Sequence, residues 1–231
     1  MELSNNIKLM CRIRPNFKNN ENCIDNKNNE IIVQKKQPGI LKTHQSQLKY
    51  YIEITSRQYA LNMDIYSSLG VEIIKHVIKF KKNVTFYVYG QTGSGKTHTL
   101  LGGNKENGFL EDILSDILEI GYEIKICALE IYNNKCYDLL QNKKKVQQRD
   151  NGAKDFVFPG VALKSLKEPQ DIVDFNEIIG NNRKIGVSSE NDTSSRSHLL
   201  IEIHVNNQFL RILDLAGCEK ANQAICKSRQ E

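Results

Sequence analysis

Several absences bound this 231-residue sequence before any motif is considered. No apolar run approaches the roughly 20 residues that a bilayer-spanning helix needs. The N-terminus, MELSNNIKLM, lacks a basic segment followed by an apolar one, so no secretory signal is expected. The six cysteines (Cys11, Cys23, Cys127, Cys136, Cys218 and Cys226) form no C-x-x-C pair, which argues against a zinc site or a disulfide scaffold and suits a reducing cytosol. Tryptophan is absent and the basic residues are dispersed, leaving no aromatic-rich platform for nucleic acid. No internal repeat or linker divides the chain, so one domain over residues 1–231 is the simplest expectation. What is present is an ordinary globular balance, 39% hydrophobic and 26% charged. The net charge of +5 leaves an acidic protein surface open as a partner.

The most specific stretch is Gly90 to Thr97, GQTGSGKT, preceded by the β-branched and aromatic run Asn83 to Tyr89. It fits the phosphate-loop pattern, and a strand entering it with a helix leaving it is the context that pattern needs. Gly90, Gly93 and Gly95 permit a tight turn whose N–H groups converge on an anion, with Gln91, Thr92 and Ser94 between them. Lys96 supplies positive charge for the outer phosphates of a nucleoside triphosphate, and the hydroxyl of Thr97 suits a bound Mg²⁺.

The remaining chain reads as alternating elements. Asn6 to Pro15 is an apolar-rich strand, expected to be central, ending at Arg12, Arg14 and Pro15. Glu30 to Gln34 and Lys49 to Ile54 are further strands, and Pro38-Gly39 marks a turn. The stripe from Ile65 to Phe80 predicts a helix over 64–82. After the phosphate loop, glycines at 102 and 103 interrupt one helix before another at 110–120. Glu123 to Tyr132 is a strand, turned by Asn133-Asn134 towards Asp138-Leu-Leu140. Lys143, Lys144, Lys145 and Arg149 form a basic loop that composition alone reads as a solvated face. Ser165 to Ile179 reads as a helix, with Pro169 where a first turn tolerates it. The hydroxyl-rich segment Asn191 to His198 leads into a hairpin of Leu199–Val205 and Phe209–Asp214, turned at Asn206-Asn207. An apolar strand ending in Asp214 fits a second phosphate-loop signature, a carboxylate that helps hold Mg²⁺.

In chain order these pieces are RIRP, GQTGSGKTH, NDTSSRSH and DLAGCE. Together they resemble the kinesin motor domain, whose motifs are R-x-R-P, G-Q-T-x-x-G-K-T, N-x-x-S-S-R-S-H and D-L-A-G-x-E. Glu130-Ile-Tyr132, Asp138-Leu-Leu140 and Arg183, eight residues before Asn191, match as well. The likeness runs from Asn6 to about Glu219. It implies an α/β fold of the phosphate-loop NTPase class, with a central mixed, mostly parallel sheet and helices on both faces. It implies ATP and Mg²⁺ as ligands, hydrolysis of ATP, microtubules as partner, and a cytoplasmic place on the cytoskeleton (microtubules or spindle). Neither a membrane nor nucleic acid is expected as a partner.

The resemblance also assigns roles, residue by residue. Arg12, Arg14, Pro15 and His98 look like the adenine-side pocket, and Gly90 to Thr97 the phosphate cradle. Thr97 and Ser195 would meet Mg²⁺, with Asp214 nearby through water. Asn191 to His198 resembles the first switch, in which Ser194 and Ser195 approach the γ-phosphate. Gly217 resembles the second-switch glycine, and Arg196 with Glu219 the ion pair that closes the switches. Cys218 stands where Ser or Asn is usual, and Asn134 where many members have an acid. Only Lys220 to Glu231 follow the second switch, where the family continues into a relay helix and further elements. A C-terminally incomplete motor domain is therefore expected, with a non-motile nucleotide-binding or tubulin-binding remnant as the alternative. The GG after THTL, EIYNNK and the terminal Ser228-Arg-Gln-Glu231 look most like internal-motor, microtubule-depolymerising members. Their Lys-Val-Asp loop tip is not apparent around Lys36 to Pro38.

Overall fold

The structure, a computed structural model, describes residues 7–14, 24–27, 30–37, 44–52, 54–56, 60–103, 105–150, 152, 156–184 and 196–219. Pro15, Asn191, Ser194, Ser195 and the Pro38-Gly39 turn lie outside them. The chain divides into two compact units, Met1–Ile65 and Tyr66–Glu231.

In the first unit β1 (Met10–Cys11) pairs in parallel with β5 (Ile54–Thr55). Between them, β2 (Ile24–Lys27), β3 (Glu30–Gln37) and β4 (His44–Tyr51) form an antiparallel sheet. The long central strand expected over 6–15 is thus reduced to two paired residues. Ile7 and Leu9 are exposed and Ile13 is buried, so the apolar residues of this stretch do not share one covered surface. Helix α1 (Asn62–Ile74) leads out of this unit and widens into a π-helical turn at Lys75–Lys79.

The second unit is built on one mixed sheet. Strand β6 (Val84–Val88) enters the glycine loop, and α2 (Lys96–Leu101) leaves it. The expected pause in the helix is a miniature ladder between β7 (Gly102–Gly103) and β8 (Glu106–Asn107), after which α3 (Phe109–Glu119) resumes. Phe109, at the start of α3, is fully buried, stacks on Phe86 of β6 at 4.4 Å and meets the edge of Tyr66. Burying such a ring contributes about 2–3 kcal/mol, so the strand feeding the loop is held from behind by an apolar anchor.

Next come β9 (Ile124–Tyr132), β10 (Lys135–Asp138), β11 (Lys144–Val146), β12 (Arg149–Asp150), β13 (Phe156–Val157) and β14 (Lys164–Leu166). Helix α4 (Pro169–Lys184) begins at Pro169 rather than at Ser165, and Asp171 caps it by accepting from the Lys167 and Glu168 amides. The hairpin β15 (His198–Val205) and β16 (Gln208–Asp214) completes the unit. The strand order is β11-β10-β9-β15-β16-β6, with β14 also on β9. The sheet is mixed and flanked by helices, but only the β16–β6 pair in it is parallel among the described residues. Two-residue turns account for two of the antiparallel pairs, β9–β10 and β15–β16. Asn133 and Asn134 take left-handed φ of 48° and 55°, the type I′ geometry that asparagine tolerates.

Two polar features of this sheet have structural roles. Asp138, fully buried, accepts from the Leu140 and Ala162 amides and from Gln141 Nε2, at 2.7–2.8 Å. It thereby staples the turn after β10 to the segment entering β14. On β15, Glu202 is bonded by Arg211 Nε at 2.5 Å on one oxygen and by His204 Nε2 at 2.9 Å on the other. Cys127, its cross-strand neighbour, joins them in a trio whose donor atoms lie within 4.8 Å of one another. Burial pushes the Cys127 thiol up to about 12, and both Glu202 oxygens are taken, so the trio is an ion-pair ladder rather than a cation site. Burial raises the Glu202 carboxyl, but the hydrogen bonds from His204 and Arg211 and their charges outweigh it and hold the group below its ordinary value.

Two measurements follow. Asp138→Ala leaves two part-buried amides and Gln141 without their acceptor and should lower unfolding free energy by about 2–4 kcal/mol in urea titration; a loss below half a kcal/mol would contradict the staple. Because Glu202 has a folded value below its unfolded one near 4.5, its stabilisation is full above that pH and lost as pH falls through the folded value. Urea midpoints of the parent and Glu202→Gln should therefore converge on acidification, and an unchanged gap would rule this linkage out.

Candidate nucleotide site

One constraint assembles the site. Parallel pairing sets Asp214 opposite Val88, so β16 and β6 end together. Antiparallel pairing sets Leu199 opposite Asp214, so the start of β15 lies at that same end. The glycine loop, the segment after Asp214 and the segment before His198 therefore converge without any long excursion. Backbone bonds lock them: Leu215 N donates to Val88 O, Cys218 N to Gly90 O, and Ala216 N to His198 Nδ1 at 3.0 Å.

Within the loop, Gly93 and Gly95 hold left-handed φ of 76° and 101°, and Gly95 opens α2. A residue with a Cβ would be strained at both positions. Lys96 Nζ donates to the carbonyls of Gly90 and Gln91 at 2.9 and 3.0 Å, within its own loop. Thr97 Oγ1 donates to Asp214 Oδ2 at 2.6 Å. Asp214 is 2% exposed, and its Oδ1 has no hydrogen-bond partner among the described residues. Arg183, on α4, pairs with Asp214 Oδ2 at 3.3 Å, and its Nε and Nη2 are likewise buried and unsatisfied. Buried polar groups left open in this way mark a place built to receive a polar ligand. The paired hydroxyl and carboxylate oxygens fit Mg²⁺, a hard cation that prefers oxygen donors.

Across from Thr97, Glu219 accepts from the Thr92 amide at 2.9 Å and from the Thr92 hydroxyl. Gly217 lies between them; a Cβ there would come within 2.3 Å of Thr92 Oγ1 and 2.6 Å of both Glu219 oxygens. Only glycine fits beneath that bond.

The sequence-predicted residues fall into groups. Gly90 to Thr97, Asp214, Gly217 and Glu219 meet at this sheet end. Arg196 is exposed at the entry to β15. His98 faces Glu106 of β8 at 3.5 Å. Arg12 belongs to the first unit, where it donates to Asn62 Oδ1 and Ala60 O, and Arg14 is exposed there. The basic run at 143–149 contains edge strand β11; Lys144, Lys145 and Arg149 are exposed as a solvated face requires, whereas Lys143 Nζ bonds the buried Glu130 carboxylate at 2.8 Å. The sequence singles out Arg183 by its spacing and Glu130 as part of the Glu130-Ile-Tyr132 match, without a role for either.

Comparison with known proteins bears on this geometry. The family model described as the kinesin motor domain matches residues 12–231. Kinesin-like protein KIN-14C of Oryza sativa subsp. japonica is 28% identical over 268 aligned residues, covering 96% of this chain and 26% of the relative. Kinesin-like protein KIF18A of Mus musculus is 30% identical, covering 79% and 23%, and Protein claret segregational of Drosophila melanogaster is 28% identical, covering 95% and 35%. The chain thus spans between a quarter and about a third of the length of such relatives.

Gly217→Ala should push Thr92 off Glu219. The readout is amide hydrogen exchange at Thr92, expected to quicken about tenfold or more as its acceptor is lost; an unchanged rate would mean that the bond does not depend on the glycine.

Proposed function

Since the chain belongs to the kinesin motor-domain family, we propose that it binds ATP with Mg²⁺, hydrolyses it, and acts on microtubules. The observation that carries this reading is the joining of Thr97 to Asp214 and of Thr92 to Glu219 across the glycine loop. Gly90 to Lys96 cradle the phosphates, and Lys96 exchanges its loop carbonyls for phosphate oxygens. Thr97, Ser195 and Asp214 hold Mg²⁺, which when bound neutralises charge on the phosphates. Ser194 and Ser195 approach the γ-phosphate, with Asn191 in the same segment, and the Gly217 amide senses that phosphate. Assignment of Arg12, Arg14, Pro15 and His98 to the adenine side rests on the resemblance alone.

Glu219 gives this mechanism its moving part. Its carboxylate is oriented by Thr92, which leaves one lone pair on each oxygen to receive Arg196 on closure. Binding of a γ-phosphate orders the loops that carry Arg196 and Glu219, and its loss releases them. The attacking water is held between those loops, and most of the rate comes from positioning it. Exposed Lys144, Lys145 and Arg149 offer a basic edge to the acidic tubulin surface, a contact that salt would weaken.

The test is ATP binding and turnover by the chain, with and without microtubules. Lys96→Ala and Thr97→Asn should weaken binding by about 100-fold or more. Glu219→Ala should bind ATP normally and turn over about 1000-fold more slowly. Microtubule stimulation of turnover supports the motor reading, and gliding against end-shortening assays separate movement from depolymerisation. Binding without stimulation would instead leave a nucleotide-binding remnant.

A further inference from the structure

We propose that Lys143 is a positioning residue for the first switch, acting through the buried carboxylate of Glu130 on Ser197 and so on the adjacent Arg196. The proposal rests on the nucleotide-site reading above for the role of Arg196, and on geometry alone for the linkage.

Glu130 lies in β9, between Leu129 and Ile131, and is 4% exposed. Its two oxygens have separate partners: Ser197 Oγ donates to Oε1 at 2.8 Å, and Lys143 Nζ bonds Oε2 at 2.8 Å. Ser197 is itself 1% exposed and immediately precedes β15, whose Leu199 pairs with Glu130 across the ladder. The seryl hydroxyl fixes where the chain leaves the switch and enters the sheet. Arg196 is the next residue outward, so its backbone direction is set from this bond.

A neutral hydroxyl cannot balance a buried carboxylate, and Lys143 supplies the missing charge. With Lys143 removed, the buried carboxylate of Glu130 is left without a counter-charge and must move towards water, away from Ser197. The register of the switch exit then loses the bond that specifies it.

The backbone of Lys143 is a second, independent observation. It adopts a left-handed φ of 60°, directly after Asn142 at 50°. Asparagine and glycine enter that region readily, while lysine is strained there. Its amide donates to Asp138 O at 2.9 Å, and the Asp138 side chain is tied to the Leu140 and Ala162 amides. The fold thus holds a lysine in an unfavourable conformation whose consequence is an ammonium placed on Glu130. Strain maintained by its surroundings is the pattern found where a side chain must be aimed.

Three full-chain variants separate positioning from packing. Lys143→Asn relieves the backbone strain but leaves the buried Glu130 carboxylate without its counter-charge, so it should fold with a melting temperature below the parent's. With that counter-charge gone, hydrogen exchange in the peptide covering Arg196 to Leu200 should quicken by about fivefold or more. Lys143→Arg keeps the charge and should restore slow exchange. Glu130→Gln should behave like Lys143→Asn. In ATP turnover, Lys143→Asn is expected to lower kcat about tenfold with KM unchanged, and Lys143→Arg to recover most of it. Unchanged exchange in Lys143→Asn would overturn the linkage. Faster exchange with unchanged kcat would overturn the positioning role. If the parent chain bound no nucleotide, the nucleotide-site reading would fall, and the exchange measurements would still decide the linkage.

Discussion

The parallel pairing of β6 with β16 is the constraint on which the rest of the site depends. It is the one parallel contact in the main sheet among the described residues, and its register sets Val88 beside Asp214. Because parallel strands finish at the same edge, the glycine loop after β6 and the segment after β16 emerge side by side. The β15–β16 hairpin then returns the start of β15 to that edge. A slip of one residue would turn every side chain of β16 to the opposite face. Asp214 would lose Thr97, and the Thr92–Glu219 bond would lose its support. Register here is specified by burial: Leu210, Ile212 and Asp214 alternate inward, and Phe86 of β6 is held by Phe109.

Charges inside this sheet are costly to desolvate, and each one described here is bound at a defined place. Asp138 is satisfied by donors of the turn that follows it and by the Ala162 amide, which makes it a fastening between those two segments. Glu130 is satisfied by groups from two separated segments, which makes it a connector. Among the described residues Asp214 is only partly satisfied, its Oδ1 and the Nε and Nη2 of Arg183 having no partner there. Removing one member of a buried pair costs about 3–5 kcal/mol, so an incompletely paired group is kept only where something else completes it. The gradation from closed to open runs from the sheet edge towards the glycine loop, which is the direction in which structure gives way to chemistry.

Much of this was legible in the residues. Strong periodicity gave α3 and the β15–β16 hairpin within a residue or two and α4 with its ends four and five residues out, and local turn chemistry placed the bends at Asn133-Asn134 and Asn206-Asn207. The glycine loop and Asp214 were legible because phosphate binding demands particular residue types at fixed spacing. What escaped were features whose cause is non-local. The N-terminal strand shrank to Met10–Cys11, because apolar content alone does not report which residues find a partner. The sheet's antiparallel majority rests only partly on short turns, and composition does not encode the other pairings. Lys143 was read as solvated because its partner, Glu130, is distant in sequence and lies in a strand dominated by apolar residues. A basic run shows charge, and only the fold shows which member of the run is already spent.

The Thr92–Glu219 bond carries the last step. A carboxylate that holds an amide of the glycine loop ties the second switch to the phosphate cradle directly, with Gly217 leaving no room for any other side chain between them. Each Glu219 oxygen accepts one bond from Thr92 and keeps a further lone pair, so a closing Arg196 meets a carboxylate already oriented by the glycine loop. Arg196 meets it only if its own position is defined, and Ser197 and Glu130, on the far side of β15 from the loop, fix the residue next to it. The loop thus holds one end of the switch and the sheet edge holds the other, so the balance between them is set by buried hydrogen bonds rather than by the exposed arginine alone.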